Sequence, residues 1–212
     1  MKSQDVGLLL CLASLQRQED GRQPHKAWPL DWRDWAENLA TGDDIQESAG
    51  TIESLQSRYT ARALEKHTGI SKTQLNLALN RCYDIGLARR DRKTGVPRAN
   101  TRPLYDFIIH GLKYVFPTKP GELVRGIATS FAAPVLKGKL LSGGDYELVW
   151  PDAQGNTKGL KVDPLFKTAT YAAKRNPDMY ALLALIDAIR LGQPRENHLA
   201  GEMLKDLLLD NP

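Results

Sequence analysis

The sequence predicts an α+β fold: helices gathered around a helix–turn–helix and a basic β-hairpin, with an α/β region behind them. Three observations carry this expectation. Between residues 60 and 87, two short helical patterns meet at a glycine. A basic stretch rich in strand-forming residues follows at once. From residue 163 onward the chain becomes apolar at helical period and ends in two helices separated by Gly192, an αα-hairpin.

In chain order, residues 3–18 form a first helix with Val6, Leu8, Leu9, Leu10, Ala13 and Leu15 packing inward. Residues 19–57 read as an insertion. Within it Trp28, Trp32, Trp35 and Leu39 recur at spacings of four, three and four, with Pro29 near the helix start, which predicts a helix anchored on the fold by its tryptophans. The neighbouring Asp31, Asp34 and Glu37 would repel a nucleic-acid backbone, so an anchoring role outweighs a stacking surface.

Ala63 and Leu64 share one face of the next helix, Gly69 supplies a tight turn, and Ile70 fills the space between two helices. Ser71 caps the second helix of the pair. There Leu75, Ala78, Leu79 and Cys82 fall at i, i+3, i+4 and i+7, a stripe that faces a core. The opposite face carries Thr73, Leu77, Asn80 and Asp84, flanked by Asn76 and Arg81. Gly86 closes the helix. Residues 88–95 then read as a strand running into a turn, and residues 103–109 as the returning strand.

Helix, turn, helix and basic hairpin in this order make a winged helix, whose second helix is suited to the major groove of DNA. The segment from about residue 55 to 110 resembles the winged helix-turn-helix regulators of bacteria, the broad MarR and GntR type, through Gly69-Ile70-Ser71, Leu75, Leu79 and Ile85-Gly86-Leu87. The resemblance implies a sequence-specific, double-stranded DNA-binding transcription regulator; two such modules on a two-fold axis would match a palindromic site, so the expectation is a repressor acting as a homodimer joined mainly through helices 179–191 and 194–209. Charge points the same way. Residues 58–102 hold eleven Lys and Arg against three Asp and Glu, whereas the whole chain is only +4. The DNA-binding candidates are therefore Ser71, Lys72, Thr73, Gln74, Asn76, Asn80, Arg81, Arg90, Arg92, Lys93, Arg98 and Arg102. Thr73, Asn76 and Asn80 reach base edges. Lys72, Arg81 and the cations from Arg90 to Arg102 hold phosphates or enter the minor groove. The competing reading is a winged helix that binds protein, such as the antitoxin of a toxin–antitoxin pair, but such a module has no need of the basic run.

The two domains expected are residues 1–116, the winged helix with its insertion, and residues 117–212, a region for assembly or sensing that offers room for an effector. A Pro/Gly-rich connector opens the second. A small hairpin is expected from strands at 146–150 and 160–162, followed by helices over 168–175, 179–191 and 194–209. Asn176-Pro177-Asp178 supplies a cap, a first-turn proline and an acidic first turn. The helix over 179–191 is apolar almost all round, so it lies under the domain or is shared with a second subunit.

Composition bounds the remainder. With 212 residues, 42% hydrophobic and 25% charged, the chain is long enough for a sizeable core and unlike a disordered one. No apolar run approaches the ~20 residues of a membrane span, and Leu10 before Cys11 argues against a lipoprotein signal. The cytoplasm is the expected compartment. Cys11 and Cys82 make neither a disulfide framework nor a zinc set, and the four histidines are scattered. No phosphate-binding Gly-Lys-Ser/Thr loop and no serine elbow is present. Neither cofactor, metal nor catalytic residue is expected.

Overall fold

The computed structural model describes residues 1–19, 32–36, 52–139 and 146–209. Two apolar helices organise it. One is α1 (Ser3–Glu19), buried without interruption from Asp5 to Leu15. The other is α8 (Pro177–Leu191), buried from Asp178 to Ile189. They touch each other, and the remaining elements cover what they leave exposed. A helix without a polar face demands this, because every uncovered side would leave leucines in water at roughly 25 cal/mol per Å².

Around α1 lie α2 (Ile52–Arg58), α3 (Ala61–Thr68), α4 (Lys72–Asp84) and an antiparallel hairpin of β1 (Ala88–Arg90) and β2 (Pro97–Ala99). The hairpin's second strand was expected at 103–109. Those residues instead form α5 (Thr101–His110), with Leu104 and Ile108 buried one turn apart. Isoleucine, tyrosine and phenylalanine favour strands in isolation. Packing of α5 against α9 (Pro194–Leu209) and α8 overrides that preference, and Pro103 is tolerated in the first turn. A short α6 (Leu112–Val115) follows.

The connector expected after residue 117 contains a strand, β3 (Leu123–Ala128). It pairs antiparallel with both β4 (Leu148–Pro151) and β5 (Thr157–Lys161), and those two pair parallel with each other, so the three strands close on themselves. The expected β4–β5 hairpin is thus a crossover. Gly126 pairs with Pro151 on one side and Thr157 on the other, and the chain passes over it between those residues. A side chain could not sit at this crossing. A Cβ on Gly126 would lie 2.0 Å from the Trp150 carbonyl oxygen, and one on Gly155 would lie 2.1 Å from the Gly126 carbonyl.

Trp32–Ala36 is expected within a helix, but after a 3-10 turn at Trp32 residues 33–36 run without helix across this small barrel. Trp35 bridges Gly155, Ala36 N–H donates to the Gln154 carbonyl at 2.9 Å, and the Asp34 carboxylate accepts from Ala128 N–H at 2.7 Å. Trp35 packs edge-on against Tyr180, with ring centroids 5.9 Å apart. The anchoring role stands for this tryptophan in a different conformation. Trp28 and Leu39 lie outside the described residues.

α7 (Ala169–Arg175), α8 and α9 form at the positions expected. Asn176 caps α8 by accepting from Asp178 N–H at 2.9 Å, and its amide also donates to Ser14 of α1 at 2.9 Å. Asp187 joins α8 to the barrel, accepting from Trp150 Nε1 at 2.6 Å, Thr129 Oγ1 at 2.9 Å and Arg190 at 2.7 Å. Burial raises its carboxyl above the usual range, against the pull of Arg190 and these donors. One continuous core runs through both halves, and α8 finds its partners within the chain. Its apolar character therefore gives no reason to invoke a second subunit. Among the described residues no helix is long and apolar enough to cross a membrane.

Candidate nucleic-acid interface

The turn between α3 and α4 forms as its residues dictate. Thr60 caps α3, accepting from Ala63 N–H at 3.2 Å, and Gly69 ends that helix at φ 69°, the left-handed region that favours glycine. A Cβ on Gly69 would approach Tyr171 to 2.9 Å, and Thr168 donates from Oγ1 to the Thr68 carbonyl at 2.7 Å. The turn is thereby held against the start of α7. Ile70 is buried between the helices. Ser71 occupies the cap position of α4 with extended backbone, but its hydroxyl makes no capping bond.

α4 divides cleanly. Leu75, Ala78 and Cys82 are buried and Leu79 is half-buried, whereas Ser71, Lys72, Thr73, Asn76, Leu77 and Asn80 are exposed. At about 100° per residue, Thr73, Asn76, Leu77 and Asn80 fall within roughly 100° of arc on the side facing away from α1. Gln74 is partly withdrawn, its carbonyl accepting from the Gln4 amide at 2.9 Å.

Two of the candidate cations are committed to carboxylates. Arg81 grips Asp5, with Nη2 at 2.6 Å and Nε at 2.9 Å from its two oxygens, and Asp5 is fully buried. This pair sets the orientation of α4 on α1. Arg98 lies 2.6 Å from Glu19, donates to the Tyr59 hydroxyl at 2.9 Å, and stacks over the Tyr59 ring at 5.1 Å. The Tyr59 hydroxyl in turn donates to Glu19. Burial, followed by the Glu19 carboxylate, pushes the Tyr59 pKa far up, so it remains a donor at any ordinary pH. Arg98 is thus a dowel between hairpin and α1 rather than a free charge. Gln16 reinforces the joint, accepting from Ala99 N–H at 2.7 Å.

The hairpin tip is built by Asp91, whose Oδ1 accepts from Lys93 N–H at 2.9 Å, Thr94 N–H at 2.8 Å and the Thr94 hydroxyl at 2.9 Å. The Thr94 backbone bond leads in holding this carboxyl down to about 2. Gln56 of α2 ties the tip from behind, donating to the Thr94 carbonyl at 2.8 Å. On this frame Arg89, Arg90, Arg92 and Lys93 are all exposed, and the Arg90 guanidinium sits 5.2 Å from the Tyr83 ring of α4. Arg102 stands apart in the first turn of α5, 71% exposed and 3.4 Å from Asp106. Lys72 is 3.9 Å from Glu65, a loose surface pair.

No protein-family model matches this chain, and no curated protein or solved structure matches it. Its geometry joins the exposed polar face of α4 to four exposed cations on the hairpin. The DNA-binding candidates omit two members of this surface, Arg89 beside the recognised run and Leu77, which helical phase already places on the outward face of α4. Among the described residues no group of three His, Cys, Asp or Glu side chains converges as a metal site. A separate cleft of about 360 Å³ opens beside the barrel, between Trp32, Asp34, Lys137, Glu147 and Thr157, with walls of mixed charge.

Proposed function

We propose that this chain is a winged-helix transcription regulator that binds double-stranded DNA with α4 in the major groove and the β1–β2 hairpin on the adjacent backbone. The observation that carries the reading is the division of labour among the basic residues. Arg81 and Arg98 fix helix and hairpin to α1, while Arg89, Arg90, Arg92 and Lys93 project from the exposed hairpin beside an uncovered polar helix face. Lysines and arginines so placed meet phosphates, and short polar side chains on the helix meet base edges. Occupancy of the site would repress by exclusion. A homodimer on a two-fold site would have to use a surface other than α8, which the chain itself covers.

The test is fluorescence anisotropy of a labelled duplex titrated with protein over a range of salt. Binding should weaken steeply with salt, and Arg92→Ala with Lys93→Ala should make the slope shallower by about 0.9 for each phosphate that is no longer neutralised. A duplex that is not retained at low salt, or a slope indifferent to the double variant, overturns the proposal. One observation favours a protein partner instead. Leu77 on α4 and Ile85 at its C-cap are 47% and 54% exposed, and two apolar side chains so placed suit a protein groove. Under that reading the hairpin charges are dispensable for binding.

A further inference from the structure

The exposed face of α4 carries a base preference in its composition. We infer that, if the chain binds duplex DNA as proposed above, it reads A·T base pairs in the major groove, with Asn76 and Asn80 on adenine and Leu77 with Thr73 against thymine methyl groups.

Each base presents its own pattern in the groove. Guanine presents two acceptors, N7 and O6, and is met by the paired donors of arginine or by lysine. Adenine presents an acceptor beside a donor, which the asparagine amide matches with its own donor and acceptor. Thymine adds a methyl group, which an apolar side chain can cover. The exposed stripe of α4 offers two amides, one methyl-bearing hydroxyl and one leucine. It offers no guanidinium.

That absence is a consequence of the fold. Arg81, the only arginine of α4, is turned to the inner flank and held by both oxygens of the buried Asp5. Gln74, the other amide of the helix, is engaged by Gln4. Lys72 stands at the first residue of α4, off the stripe and near Glu65, where it is suited to phosphate. Asp84 lies on the same line as Thr73 and Asn80 but at the far end, which limits the reading face to about two turns.

Leu77 gains a reason from this reading. Exposed at 47% beside two asparagines, it complements an adenine–thymine step, in which amide donors and a methyl group lie next to each other. The exposed Arg89, Arg90 and Arg92 of the hairpin lie outside the helix face, on the adjacent backbone, so the base preference rests on α4 alone.

The experiment starts from a library of duplexes with a randomised centre, enriched on the full-length chain and sequenced. Enriched sites should carry A·T pairs at the positions that Asn80→Ala and Asn76→Ala relax, each variant losing at least about ten-fold on the enriched duplex and little on the unselected library. Deoxyuridine in place of thymine removes only the methyl group. It should weaken the wild-type chain several-fold, Leu77→Ala by less, and leave Leu77→Ala combined with Thr73→Ser unaffected. Enrichment of G·C pairs under the helix footprint, or retention without any enrichment, overturns this inference while leaving duplex binding intact. Failure to retain any member of the library overturns both readings together.

Discussion

Removing the guanidinium that grips Asp5 separates the structural from the electrostatic account of Arg81. Asp5 is 0% exposed and accepts from Arg81 at 2.6 and 2.9 Å and from Lys2 N–H at 2.7 Å. In Arg81→Met the backbone bond remains, but a buried carboxylate loses its counter-charge. Breaking such a pair from one side costs about 3–5 kcal/mol. The Arg81 side chain is 29% exposed, so water enters the gap and the lower end applies, about 3 kcal/mol. For a chain of this length, where 1 kcal/mol moves Tm by about 2–4 °C, the midpoint should fall by about 6–12 °C. Calorimetry or urea titration reads this directly. Adding Asp5→Ala should recover part of the deficit, because no charge is then left buried without a partner. At a temperature where Arg81→Met is folded, the salt slope of duplex binding should match the wild type, since Arg81 already has its anion. A destabilisation below about 1 kcal/mol with a shallower salt slope would refute the pairing and return Arg81 to the phosphate-binding set.

Two further perturbations test the frame. Gly126→Ala places a Cβ 2.0 Å from the Trp150 carbonyl and should cost about 3 kcal/mol or more by urea denaturation, whereas Gly121→Ala, whose nearest neighbour would be 3.6 Å away, should be within about 0.5 kcal/mol of wild type. His67 has its pKa lowered, first by burial and then by Arg58 and Lys66. Above pH ~6.5 it is neutral folded and unfolded alike. Below that the unfolded chain takes up a proton that the folded chain resists, so stability falls with pH until the lowered folded pKa is reached. The urea midpoint of wild type relative to His67→Gln should therefore decline from pH 7.5 to pH 5, and a constant difference would contradict the burial of this imidazole.

Local pattern made the helical parts legible. Gly69 with Ile70, the Leu75–Cys82 stripe, and the Asn176-Pro177-Asp178 start of α8 are short-range statements in which cap, turn and period agree. The failures share the opposite property. α5 reads as a strand until α9, nearly a hundred residues later, supplies the surface for Leu104 and Ile108. β3 was hidden because Gly121 and Gly126 look like breakers, when Gly126 is instead the bare point over which the chain crosses itself. At the candidate interface, helical phase predicted which α4 residues face outward. It could not tell which cations were free, because Arg81 and Arg98 find Asp5 and Glu19 more than seventy residues away in sequence.

The contact between α1 and α8 also bears on how the chain is made. From Val6 to Leu15 α1 is apolar almost all round, and α8, one of the elements that cover it, begins only at Pro177. A ribosome adding roughly 5–20 residues per second needs on the order of ten seconds or more to travel from Glu19 to Pro177. Once residue 99 has emerged, α1 has α3, α4 and the hairpin as cover on one flank, while the flank that α8 takes stays open. The nascent chain therefore presents a leucine-rich helix to chaperones, or to other nascent chains, until nearly the last of its described residues emerge.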